Sequence, residues 1–316
     1  MKIAYSSLAF ILATTIEAHT PSHSHHHQKR NLLPGIKLGY STTFFDSFAG
    51  ETGCLPSREK WLFSTGTSYP GGAPRWGNNE FETYTDSTEN VIITESNKLR
   101  ITPRLGRDGS WTSARLETQR TDFAAVEGGK LYVETRIKLG DAPKEVQQGI
   151  WPAFWALGES FRGNYTNWPA ASEWDILEVL NGLPTIYSTI HCGVAPGGPC
   201  NEYNGLGNGG VDFSFGAYHT IGFGVDRSMT GPNGHYRNST WKDERLEFFL
   251  DGDLVFNVTG ATVGDRPAWE KLAHEGHFLL LNVAVGGNWP GPPNNATIGG
   301  DRAAMEVDYV AVFNSL

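Results

Sequence analysis

The chain has 316 residues, 39% hydrophobic and 19% charged, with 38 Gly and 17 Pro, which suits a loop-rich globular protein with one sizeable core and excludes a disordered or collagen-like chain. Its net charge of −9, without a basic cluster, argues against nucleic acid or an anionic membrane as partner and leaves a neutral polymer unopposed.

The chain opens with MKIAYSSLAFILATTIEA, residues 1–18, where Lys2 precedes a short apolar run closed by small residues. That pattern is a secretory signal rather than a membrane span, which needs about 20 apolar residues. Residues 19–30, HTPSHSHHHQKR, carry five of the ten His and end in the dibasic pair Lys29-Arg30. They read as a propeptide cut after Arg30 by a kexin-like protease; a metal-binding His tract would have nothing nearby to order it. Residues 36–316 contain no linker, repeat or low-complexity tract, so 31–316 is expected to be a single domain, secreted and monomeric. Losing residues 1–30 would remove three basic residues and one acidic residue, making the mature chain more acidic still.

Short alternating or β-branched runs bounded by Gly, Asn or Asp predict strands over 90–94, 98–103, 130–139, 184–191, 218–225, 246–250, 253–258, 278–285 and 305–313. Asp251-Gly252 between two apolar runs predicts a hairpin turn. A single helix is expected over 265–275, with Asp265 as N-cap, Pro267 just inside and Gly276 past the end. Many short strands and one helix predict an all-β sandwich or barrel. Sequons at Asn164, Asn238, Asn257 and Asn295 fit a secreted glycoprotein. Cys192 and Cys200 bracket the turn-rich GVAPGGP, and bridging them would be worth roughly 2–3 kcal/mol. Cys54 is then either free and buried or the true partner of one of them.

Several motifs lack their context. GLGNGG at 205–210 matches G-x-G-x-x-G, but no strand precedes it and no helix follows. His274-Glu275-Gly276-His277 is one residue short of H-E-x-x-H, and there is no G-x-S-x-G elbow or phosphate loop.

ASEWDILEVLNG, residues 171–182, places Glu173, Asp175 and Glu178 among residues typical of a buried strand. Strict alternation puts Glu173 and Asp175 on one face and Glu178 on the opposite face with Trp174 and Ile176. A carboxylate in that apolar layer would cost several kcal/mol. One extra residue, a β-bulge near Ile176 and Leu177, restores the phase and leaves Trp174, Ile176 and Val179 facing the core. Retaining glycosidases need two carboxyls about 5–5.5 Å apart, whereas four strand steps separate α-carbons by roughly 13 Å, so the sheet must also curve. Asp175, between the two Glu, is expected to hydrogen-bond to one of them and to raise a neighbour's pKa. A solvated strand face decorated with acids is the alternative. GIWPAFWALG (149–158), NWP (167–169) and GGNWPG (286–291, with Trp289) supply rigid aromatic platforms for sugar rings. Trp155 fits either core or ligand, while Trp168, on a polar loop, is the better sugar contact.

With these residues in place the chain resembles glycoside hydrolase family 16, in particular secreted fungal endo-β-1,3(4)-glucanases of the laminarinase type. Its signature E-x-D-x-x-E is met by Glu173-Trp174-Asp175-Ile176-Leu177-Glu178. Further matches are NNEFETYT (78–85), GGKLYVETRIKL (128–139), WPAFWALG (151–158), STIHCG (188–193), LLLNVAVGGNWPG (279–291) and MEVDYVAVF (305–313). The resemblance implies a β-jelly roll, a concanavalin-like sandwich of two curved antiparallel sheets with a concave cleft for a β-glucan polysaccharide. It implies Glu173 as nucleophile, Asp175 as assisting acid and Glu178 as general acid/base, with no cofactor for catalysis. Asn79, Trp155, Trp168 and His191 match cleft-lining positions. Asp308 matches a carboxylate that in some members joins backbone carbonyls around a structural calcium ion. Two positions depart from the family: Trp174 stands where Ile or Leu is common, and Ser172 where Gly is common. The segment after YHTIGFGVDR also carries a long insertion. A wall-glucan transglycosylase would use the same acids; a non-catalytic glucan-binding protein would not need both Glu173 and Glu178.

Overall fold

The computed structural model describes residues 34–228 and 240–316. The expected signal, the propeptide and the sequon at Asn238 lie outside the described residues.

Two large antiparallel sheets dominate. One runs in the order Asp253–Thr259, Arg245–Leu250, Tyr218–Asp226, Lys130–Leu139, Met305–Ser315, Leu99–Ile101, Val91–Ile93, with Tyr40–Asp46 also pairing Met305–Ser315. Lys130–Leu139 alternates between half-buried and buried at every residue, so this back sheet covers the core with one face only. The other runs Leu206–Gly207, Thr185–His191, Glu173–Glu178, Ile150–Gly158, His277–Val285, Arg115–Thr118, Trp61–Phe63, with Val211–Asp212 also pairing Thr185–His191. In this site sheet His277–Val285 is buried along its whole length.

The inner faces meet in one continuous core. Trp174, Ile176, Leu177 and Val179 of the acid-bearing stretch pack there with Leu131, Val133, Phe223, Val225 and Phe248. Trp174 reaches Phe223 of the back sheet with ring centroids 4.5 Å apart. Burying one such side chain is worth about 1.5–3 kcal/mol.

All nine strands expected from alternation are present, with ends differing by a few residues. Asp251 (φ 52°) and Gly252 (φ 86°) both take positive φ in the hairpin joining Leu250 to Asp253, as a primed two-residue turn requires. The helix is Arg266–Ala273, with the Asp265 side chain accepting from Ala268 N–H. A one-turn helix, Gly260–Val263, was not anticipated. Nor were the strands Trp61–Phe63, Arg115–Thr118 and Ile150–Gly158, three of the eight strands of the site sheet.

Candidate functional site

The bulge lies where the acids require it. Against Ile150–Gly158, Trp155 pairs with Asp175 but Phe154 pairs with Leu177; against Thr185–His191, Asp175 pairs with Thr189 but Glu178 with Tyr187. On both sides the acid strand holds one extra residue at Ile176–Leu177. The core side takes Trp174, Ile176 and Leu177, each at most 1% exposed, and the three acids share the opposite side. That side is not a solvated face: Asp175 is 4% and Glu178 7% exposed, and Glu173 is half-buried.

Each acid has its own partner. Trp168 Nε1 donates to Glu173 Oε2 at 3.1 Å, and Trp151 Nε1 donates to Glu178 Oε1 at 3.0 Å. Asp175 Oδ2 faces His191 Nε2 at 3.3 Å, so the hydrogen bond expected between Asp175 and a Glu is replaced by an ion pair with histidine. An acid flanked by like charges gains more from a cation than from a third carboxyl. Burial holds the Glu173 and Glu178 carboxyls above the usual range, the charge of Asp175 raises both further, and His191 and the indole N–H groups pull them partly back. Burial alone would lower the His191 pKa, but hydrogen bonds to Asp175 and Glu202, with the nearby negative charges, push it up to about 11. The arrangement can therefore keep one carboxyl protonated at neutral pH beside an ionised neighbour, the division of labour that acid-plus-nucleophile chemistry needs.

The expected sugar contacts fall on or around this face. Trp155, opposite Asp175, is half-buried and donates to Asn282 Oδ1 at 2.7 Å, so its indole is fixed from below. Trp168 stacks on the exposed Tyr203 at 6.1 Å and leans on His191 at 5.5 Å. Trp289 is 49% exposed and meets Trp151 and Tyr187 edge-on. Asn79, with φ 58°, donates to Asn288 Oδ1 at 2.8 Å, on the segment that carries Trp289. A 360 Å³ pocket next to Trp168 is lined by Asn167, Gly193, Val194 and Tyr203.

Two contributors were missed. Trp151 lies four residues before Trp155, hence on the same strand face, and that spacing could have found it. Glu202, which holds His191, sits in a loop beyond the disulfide, and no sequence spacing signals it.

Cys192 and Cys200 form the disulfide, and Cys54 is free but exposed rather than buried. Asn164, Asn257 and Asn295 are exposed. Asp308 does not fit a calcium ligand: Lys98 Nζ takes one of its oxygens and Arg136 Nη1 the other at 2.8 Å, and these bonds hold its carboxyl below the usual range despite its burial. Glu173, Asp175 and His191 are close enough to surround a cation, but both ring nitrogens of His191 already face a carboxylate oxygen of the chain, Asp175 at Nε2 and Glu202 at Nδ1. His274 pairs with Glu244, and His277 is buried against Trp174, so neither belongs to a metal motif. Among the described residues no helix is long and apolar enough to cross a membrane.

No family model matches the chain. The 1.5 Å crystal structure of endo-1,3-beta-glucanase from Streptomyces sioyaensis is 41% identical, with a TM-score of 0.82 over 90% of this chain and 99% of that one. SCLam, a non-specific endo-beta-1,3(4)-glucanase from family GH16, is 27% identical with a TM-score of 0.63 over 89% of this chain and 93% of that one. Among curated proteins, glucan endo-1,3-beta-glucosidase A1 of Niallia circulans is 28% identical over 87% of this chain; the chain spans 38% of that relative's length. With two antiparallel sheets, the bulged acid strand and a 41% identical relative covered almost end to end, the chain belongs to glycoside hydrolase family 16, with its jelly-roll fold.

Proposed function

We propose that the chain is a retaining endo-glucanase that cleaves β-1,3-glucan, or mixed β-1,3/1,4-glucan, through a covalent glycosyl-enzyme intermediate. Glu173 attacks the anomeric carbon, while Glu178, protonated, gives its proton to the departing glycosidic oxygen. Glu178 then takes a proton from water as that water hydrolyses the intermediate. Asp175, paired with His191, lies between them, and its charge keeps the Glu178 proton from leaving early. The observation that carries this reading is the pair of indole donors: each Glu has its own N–H, from Trp168 or Trp151, fixing it on one side of the bulged strand.

The choice of β-1,3-glucan follows the relatives, named as endo-1,3-beta-glucanases. Secretion and glycosylation at the exposed sequons belong to the same proposal and rest on the leader, the Lys29-Arg30 pair and the sequons, while the fungal type rests on the resemblance of the motif segments. The test is product analysis on laminarin, lichenan and pustulan. Mixed-length oligosaccharides from laminarin are expected, and Glu173→Ala should abolish them. Exclusive release of glucose, no cleavage of any β-1,3-containing glucan, or turnover retained above a few per cent in Glu173→Ala would overturn the reading.

A further inference from the structure

The Glu202 side chain is 0% exposed although it lies in a loop. A lone carboxylate so buried would cost several kcal/mol, yet here both oxygens are satisfied. Oε1 accepts the Cys192 backbone N–H at 2.8 Å and Oε2 meets His191 Nδ1 at 2.7 Å. The loop is closed at both ends, by the Cys192–Cys200 bridge and by Glu202 N–H donating to Gly197 O at 2.6 Å. Gly205, at φ +72°, leaves room for the imidazole: a Cβ there would stand 2.8 Å from His191 Cε1.

The ring therefore faces a carboxylate at each nitrogen, Glu202 at Nδ1 and Asp175 at Nε2. Ionised carboxylates only accept, and neutral imidazole carries a single N–H, so one contact would set two acceptors against each other. Only imidazolium donates to both. We propose that Glu202 is a positioning residue that locks His191 as a permanent cation, giving the acid strand a fixed positive charge instead of a titrating one.

The groups bearing on His191 are Glu173, Asp175 and Glu178 from the neighbouring strand and Glu202 from the loop. The first three are the groups whose ionisation the reaction uses. A fixed cation stays paired with Asp175 and pulls Glu173 and Glu178 towards their ionised forms without adding a titration of its own. The rate consequence rests on the glucanase reading; the charge state does not.

The test follows the His191 ring nitrogens by NMR from pH 5 to 9 in the full chain, assigned by comparison with a His191 substitution, for wild type, Glu202→Gln and Glu202→Asp. The Gln oxygen can still accept from Cys192 while its NH2 donates to Nδ1, so neutral His191 becomes the satisfied state and the fold has no reason to fail. Wild type and Glu202→Asp should stay doubly protonated throughout. Glu202→Gln should titrate inside the window and lose about 10- to 100-fold in kcat on laminarin, the usual size for removing an orienting partner, with KM little changed and Glu202→Asp recovering most of the rate. A wild-type ring that is neutral or titrates between pH 5 and 9, or a Glu202→Gln ring that stays charged throughout, overturns the proposal. If Glu202→Gln does not fold, the wild-type and Glu202→Asp titrations decide by the same criterion. Should the rings behave as stated while no variant cleaves any glucan, the charge lock stands and the glucanase reading falls.

Discussion

Ser172 and Trp174, the two departures from the family pattern around the acids, share one partner. Ser172 takes φ 70°, a conformation that favours Gly, and its hydroxyl is within 2.9 Å of His277 Nε2 and donates to Lys271 O at 3.0 Å. Trp174 stacks on the same His277 ring, with centroids 3.5 Å apart, and its indole donates to Leu272 O at 3.0 Å. A serine in a glycine position and a tryptophan in an aliphatic one thus clamp a single buried histidine between strand and helix. On the opposite face, Trp151 is the residue whose role is most open to direct test. Its N–H favours the ionised form of Glu178, so Trp151→Phe should raise the Glu178 pKa further and move the high-pH limb of the kcat/KM profile upward. A limb that stays in place in a pH-rate series would separate Trp151 from the general acid.

At the scale of the element, the bulge is one extra residue within a preserved register, and this gives an asymmetric prediction. Deleting Ile176 leaves Asp175 opposite Thr189 and Glu178 opposite Tyr187, and the remaining sequence alternates with all three acids on the site face. The deletion should fold, less stable by about 2–5 kcal/mol for the lost core side chain. Deleting both Ile176 and Leu177 instead puts Glu178 three positions from Glu173, turns it into the apolar layer and should leave no soluble folded protein. Thermal melts and soluble yields of the pair check this; equal damage from both changes would refute the bulge account. The bulge was legible because an acid in the core layer is intolerable, whatever the tertiary context. Arg115–Thr118 was not, because Arg115 and Glu117 look solvent-facing until Tyr69, Trp76 and Trp155 cover the guanidinium and Ser64 and Arg162 take the carboxylate. Ile150–Gly158 was obscured by Pro152, which argues against a central strand. Glu202 could not be read at all, since a loop closed by a disulfide brings it to His191.

Across the whole molecule, buried ionisable groups set the pH range of stability from both sides. Glu173 and Glu178 have raised pKa values, so the folded state binds protons the unfolded chain has released, and stability falls as pH rises from about 4.3. His277, which burial lowers to about 3, has the opposite effect: its stability is present above the unfolded value near 6.5 and is lost as pH falls. His191, raised to about 11, stabilises fully below about 6.5 and loses that contribution as pH rises through its folded value. The free protein should therefore be most stable at mildly acidic pH. Glu178→Gln should raise Tm at pH 7 and above with little change near pH 4, and a calorimetric series in which the variant gains nothing at neutral pH would contradict the sign. The central claim is that two carboxylates on one bulged strand act as nucleophile and acid on an internal glucan bond. It is tested most directly by proton NMR of laminarin during the first minutes of digestion by the full chain. New internal reducing ends should appear first as the β-anomer and only later mutarotate; α-anomer appearing first, or no new reducing ends, would contradict the account.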